Sequence, residues 1–159
     1  MSSSGTGSSG TSSIASHLEL AISLIQRFES CRLAAYQDSG GKWTIGWGHT
    51  GPEVRKGLVW SQEQCDAALE RDLAVANEGV DELSGSVGLT PLQRGALISL
   101  VFNLGEGQLK PSMLFQFVRQ GQFLQAARQF QRWDHVDGRE EKGLLERRLT
   151  EAAMFVRGS

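Results

Sequence analysis

Glu29, Asp38 and Thr44 stand nine and then six residues apart in the stretch RFESCRLAAYQDSGGKWTIGWGHTG. Two carboxyl groups beside a hydroxyl are the parts needed for glycoside hydrolysis. One acid protonates the leaving oxygen, a second carboxylate holds or activates water, and the hydroxyl fixes that water. On a helix Glu29 falls about 40° from Ile25 and about 20° from Ile22, so it continues an apolar stripe. There a carboxyl group loses solvation of its charged form and is suited to keep a proton. Two plainer readings stand beside this one: the helix end frays and leaves Glu29 in water, or an arginine neutralises it in a structural ion pair. Asp38 alone is an ordinary turn former in DSGGK. Phosphoryl transfer fits less well, because the chain has no phosphate-cradling Gly-Lys-Ser/Thr loop. No motif marks a Ser or Cys nucleophile. His17, His49 and His135 share no ligand spacing with each other or with a cysteine, so neither metal nor cofactor is expected.

These residues need elements to hold them. SHLELAISLIQRFE, from Ser16 to Glu29, opens on a capping serine and carries Leu18, Ile22 and Ile25 at helical spacing, which predicts a first helix. Tyr36 to Trp47 alternates around DSGGK and predicts a β-hairpin. In KWTIGWGHT that alternation puts Trp43, Ile45 and Trp47 on one face and Lys42, Thr44, Gly46 and Gly48 on the other. Glycines at alternate strand positions signify a bulge or the close approach of another backbone or a ligand, such as an extended polymer, or else a twisted edge strand with flexible glycines. Ser61 with Gln64 forms a capping box before a long helix carrying Ala68, Leu69, Leu73 and Ala76. Thr90 as cap, Pro91 at the first helical position and Gly105 past the end bracket a further helix, apolar around much of its axis and so expected in the core. Further helices are expected near 112–119, 122–133 and 143–156. The pattern is α+β, a small hairpin lobe and a larger helical lobe with a cleft between them, where ligands commonly sit.

At 159 residues the chain suffices for one domain with a buried core. Residues 1–13, MSSSGTGSSGTSS, are too polar to offset their ordering entropy and are read as a flexible leader, leaving 14–159 as a single two-lobed domain. No apolar run approaches the ~20 residues that span a bilayer, so stable membrane insertion is not expected. Up to Gly105 there are seven Lys/Arg against eleven Asp/Glu, a net of −4, and from Glu106 onward nine against seven, a net of +2. Neither part carries the basic stripe of a nucleic-acid binder. Cys31 and Cys65 form one disulfide or none; two buried free thiols is the preferred reading. Trp43, Trp47, Trp60 and Trp133 are assigned to packing ahead of sugar stacking.

With the Glu, Asp and Thr spaced in this way, the chain resembles the phage-type lysozymes, the endolysins of glycoside hydrolase family 24. LTPLQRGALISLVFNLGEG is similar to the family's Gln-x-x-Ala-Leu…Phe-Asn-x-Gly helix, and KGLLERRLTEAAMF to its Gly-Leu-x-x-Arg-Arg-x-x-Glu ending. The resemblance spans roughly 14–156. It implies a lysozyme-like fold and a muramidase that cuts the β-1,4 bond between N-acetylmuramic acid and N-acetylglucosamine in peptidoglycan, causing bacterial lysis. Glu29 would be the general acid, and Asp38 with Thr44 would place water for inversion, which requires carboxyl groups ~6.5–9.5 Å apart. It further implies Gly46 and Gly48 as the floor of the cleft, Asn103 as a sugar-contacting amide and Ser112 as a hydroxyl on the opposite wall. His49 would form a structural pair with Asp72, and Arg147 or Arg148 would approach Glu29. Trp47 departs from the family's usual Tyr, a change compatible with packing. The implied protein is a monomer made in the host bacterial cytoplasm. It would reach glycan strands in the wall with the help of a membrane-permeabilising holin. A glycan-binding module without turnover and a lytic transglycosylase are the competing readings.

Overall fold

A computed structural model of the protein describes residues 17–136, 139–140 and 142–159. The expected leader at 1–13 and the expected cap at Ser16 lie outside the described residues.

The first helix, α1, is described from 17 to 28, and Glu29 extends it by one bond, its N–H donating to the Ile25 carbonyl at 2.7 Å. The chain then turns into a three-stranded antiparallel sheet of β1 (Arg32–Gln37), β2 (Trp43–Gly46) and β3 (His49–Thr50), in that order. The sheet is larger than the expected hairpin. Its first strand begins at Arg32, with an irregularity between Arg32 and Tyr36, and a third strand follows the pair. Alternation was weak there because β1 is mostly exposed, so no apolar periodicity marks it.

The two glycines of β2 explain the third strand. Gly46 at φ 65° and Gly48 at φ 82° lie in the left-handed region that favours glycine, and together they reverse the chain so that Ile45 pairs with His49. The extended face read from the sequence therefore ends at Gly46. A Cβ on Gly46 would meet Cys65 at 3.3 Å, so this residue lies against the long helix and not on the floor of the cleft.

That helix, α2 (Gln62–Ser84), begins at the Ser61–Gln64 capping box, with both reciprocal hydrogen bonds formed. Such a cap contributes about 1 kcal/mol. It buries Cys65, Ala68, Leu69, Leu73 and Ala76 along one face and spans from the sheet to the helical lobe. The helix α3 (Pro91–Leu104) has the expected ends, a Thr90 cap and a Gly105 stop, with Gln93 completing a capping box that was not expected, and buries Gly95 to Val101 without interruption. Short helices α4 (Glu106–Leu109), α5 (Met113–Arg119) and α6 (Phe123–Gln129) and a 3-10 turn (Phe130–Arg132) lead to a two-stranded ribbon, β4 (His135–Val136) with β5 (Arg139–Glu140). The last helix, α7 (Lys142–Gly158), packs against α3. The helix α4 and the ribbon were not expected; each is too short to carry a period.

One hydrophobic core joins Ile25, Leu73, Leu97, Leu100, Phe115, Phe130 and Phe155. Both cysteines are free, Cys65 buried as expected but Cys31 only half-buried. Burial, reinforced by a hydrogen bond with Cys31, pushes the Cys65 thiol up to about 11. The four tryptophans are all partly buried. Trp47 and Trp133 pack against the core, Trp47 also donating from Nε1 to Asp66 at 2.8 Å, while the Trp60 ring lies 5.3 Å from that of His49.

Candidate active site

Where the sheet meets the helical lobe, an open cleft of about 740 Å³ is lined from the sheet side by Glu29, Tyr36, Asp38, Lys42, Thr44 and Gly48. From the other side come Phe102, Asn103, Leu104, Gln108, His135 and Leu144. The three residues singled out for chemistry thus share one cavity, delivered by three different devices. Glu29 is fixed at the end of α1. Asp38 sits in the β1–β2 turn, where its Oδ1 accepts from the N–H groups of Gly40 at 2.9 Å and Lys42 at 2.8 Å. This pins one carboxylate oxygen to the turn. Thr44 is only 4% exposed, and its hydroxyl donates to the Lys42 carbonyl at 3.0 Å, leaving the oxygen's lone pairs as acceptors. Thr44 pairs across the sheet with Tyr36, which brings the phenol into the same wall.

Of the readings left open for Glu29, the structure holds the ion pair. Arg147 Nη1 donates to Glu29 Oε2 at 2.9 Å, and the glutamate side chain retains 21% exposure. Arg147 also reaches Glu151 Oε2 and Ser99 Oγ, each at 3.4 Å. Arg148, the other candidate, points away from Glu29. Its Nε lies 2.7 Å from Glu151 Oε1, its Nη2 donates to Oε2 at 3.1 Å, and its Nη1 donates to the Trp133 carbonyl at 3.5 Å. Burial drives the Glu151 carboxyl up and the Arg148 guanidinium down, because each charged form is held away from water. Two arginines and two glutamates therefore form one connected cluster beneath the cleft.

At Gly48 the close approach is to a side chain, the Glu29 carboxylate, and not to the backbone or ligand expected from the glycines. A Cβ there would stand 2.8 Å from Glu29 Oε1, so only glycine lets the β2–β3 turn rest on the carboxylate. Tyr36 has its phenol pKa raised by burial and then by the negative charge of Glu29, while the Arg32 guanidinium lies 4.1 Å from its ring centre.

His49 and Asp72 pair as expected, Nδ1 to Oδ2 at 2.7 Å. A second carboxylate was missed: Glu53 Oε2 lies 2.7 Å from Nε2. Its position four residues after His49 was the available signal. Burial alone would lower the imidazole pKa, but the hydrogen bonds to Asp72 and then Glu53 outweigh it and raise the pKa.

Asn103 lines the cleft with a buried Oδ1 that has no protein partner among the described residues. Ser112 does not line it. It is 7% exposed and serves as the cap of α5, accepting from the Phe115 N–H at 3.2 Å, so its hydroxyl is already engaged. Tyr36, Lys42, Gln108 and His135 were not expected in the site. Two of them had a sequence signal: Lys42 shares the alternation face of Thr44, and Tyr36 stands opposite Thr44 in the hairpin. Among the described residues no group of three or more His, Cys, Asp or Glu side chains is arranged to hold a metal, and no helix is long and apolar enough to cross a membrane.

Residues 26–151 match the family model described as phage lysozyme. A SAR-endolysin of Enterobacteria phage P21 is 33% identical over 149 residues, which cover 94% of this chain and 90% of that protein. An endolysin of Bacillus phage B103 is 37% identical over 139 residues, which cover 86% of this chain but 52% of that protein, so the chain spans about half of its length. Among solved structures, the muramidase domain of SpmX from Asticaccaulis excentricus is similar with a TM-score of 0.76 and 33% identity. It covers 86% of this chain and 94% of that one.

Proposed function

The chain belongs to the phage lysozyme family, and from that membership we propose that it is a peptidoglycan hydrolase. The finer reading is a muramidase that cuts the β-1,4 bond between N-acetylmuramic acid and N-acetylglucosamine with inversion, and so lyses bacteria. The observation that carries it is the meeting of Glu29, Asp38 and Thr44 in one open cleft of about 740 Å³. In this mechanism Glu29 gives its proton to the leaving glycosidic oxygen, and Arg147 then stabilises the carboxylate that results. Asp38 has one oxygen tied to its turn and uses the other, with the Thr44 hydroxyl, to hold the attacking water on the opposite face of the sugar. Asn103, with its unpartnered carbonyl oxygen, is a ready acceptor for a sugar N–H or hydroxyl. The same reading has the protein act as a monomer, made in the host cytoplasm and reaching the wall by way of a holin.

Purified protein incubated with bacterial walls should reduce their turbidity and release new reducing ends. Glu29→Gln should lose at least about a hundredfold in turnover, the low end of what a positioned general acid contributes. Because the amide oxygen still accepts from Arg147, its folding stability should stay within about 1 kcal/mol of the parent. Walls left intact by folded parent protein would refute the hydrolase reading, and a Glu29→Gln variant lysing at the parent rate would refute the acid. Binding without new reducing ends would favour a glycan-binding module.

A further inference from the structure

We propose that His135, held by Asp134, is a substrate-binding side chain of the cleft that accepts a hydrogen bond from a hydroxyl or amide N–H of the glycan strand. The identity of the strand rests on the muramidase reading above; the geometry of the pair does not.

Asp134 is buried, its side chain 10% exposed, and its Oδ1 lies 2.5 Å from His135 Nδ1. A carboxylate out of water needs a partner, and the imidazole supplies it. Yet the imidazole is itself 48% exposed and forms part of the cleft lining with Asn103, Gln108 and Leu144. His49 gives the contrast within the same molecule. Both its ring nitrogens are taken by carboxylates and its side chain is 15% exposed, the arrangement of a structural histidine. His135 has one nitrogen tied and, among the described residues, none bound to the other. In the neutral imidazole the tie to Asp134 places the proton on Nδ1 and leaves Nε2 as the acceptor.

The residue before the pair is anchored. Trp133 packs against the core, and its carbonyl accepts from the buried Arg148, which belongs to the same charge cluster as the Arg147 that contacts Glu29. An acceptor fixed in this way gives orientation at small entropic cost.

The test uses Glu29→Gln protein, so that strands are bound and not consumed. It is titrated with glycan strands freed of stem peptides and, separately, with strands that retain them. Nitrogen-detected imidazole spectra should show the His135 Nε2 resonance moving on saturation, and adding His135→Ala should weaken binding about fivefold, the worth of one neutral hydrogen bond. Weakening for both ligands assigns the donor to sugar; weakening only for peptide-bearing strands assigns it to a stem amide. An unmoved Nε2 resonance with unchanged affinity would overturn the proposal while leaving the muramidase reading intact. Strands bound through His135 but never cleaved by the parent protein would overturn the hydrolase reading alone. Failure of either strand to bind would overturn both.

Discussion

At the scale of single residues, Arg147 decides how Glu29 is held. The position of Glu29 on the apolar stripe was legible because 3.6-residue periodicity is a local property. Its partner was narrowed only to one of two adjacent arginines, since which side of α7 faces α1 depends on how the helices dock. The guanidinium of Arg147 serves Glu29, Glu151 and Ser99 at once and is 4% exposed. Arg147→Ala would leave Glu151, wholly buried, with one arginine, Arg148, and the Ser99 hydroxyl, which donates to it at 2.6 Å. Removing one partner from such a cluster costs about 3–5 kcal/mol. Denaturant unfolding of Arg147→Ala should show that loss, whereas Glu29→Gln should not. Equal stabilities for the two variants would mean that Glu151 is not held as the geometry describes. Ser112 and Gly46 were misplaced for a related reason. Both are committed to local backbone tasks, a helix cap and a turn, that a residue-by-residue likeness does not reveal.

At the scale of elements, the β2–β3 turn is where sequence and structure part most informatively. Two glycines at alternate positions were read as a cleared strand face, and they are instead a reversal that creates β3. The period-2 pattern and a turn with two left-handed residues look alike when only one residue separates the glycines. The close approach that the structure shows is a different one, Gly48 to the Glu29 carboxylate. Gly57 offers a control, with φ 91° and nothing within 4 Å of an added Cβ. Gly57→Ala should cost only the backbone strain of a left-handed residue, about 1–3 kcal/mol, and keep turnover per folded molecule. Gly48→Ala should carry a similar strain and also displace the carboxylate, so its turnover should fall at least about tenfold further, a 1 Å misplacement being enough for such losses. Turnover rates corrected for folded fraction separate the two; equal losses would show that contact with Glu29 is immaterial. The Ser61–Gln64 capping box, the Thr90 cap and the Gly105 stop were legible to the residue, because those hydrogen bonds lie within four positions of chain. The ribbon β4–β5 carried no such signal, and with it His135 was missed.

At the scale of the whole molecule, the α+β division into a small sheet lobe and a helical lobe followed from composition and period, but the face each lobe turns to the cleft did not. His49 ties the lobes together, since it sits on β3 and pairs with Asp72 on α2. Its pKa is raised above the ordinary 6.5 by the Asp72 and Glu53 hydrogen bonds, which exceed the opposing effect of burial. A raised pKa in the folded state means a stabilising contribution that is complete below about pH 6.5 and is lost as pH rises through the folded value. Thermal melts from about pH 5.5 to 9 should therefore show the gap between parent and Asp72→Asn widest at the acid end and narrowing upward. A gap independent of pH would remove the charged pair from the account. The account's central claim concerns the cleft, and the anomeric configuration of the first product tests it most directly. Peptidoglycan strands digested in a spectrometer should give N-acetylmuramic acid reducing ends that appear first as the α-anomer and then mutarotate, the outcome of water attacking opposite a β-linked leaving group between Glu29 and Asp38. First appearance of the β-anomer, or of anhydro-muramic ends, would contradict it.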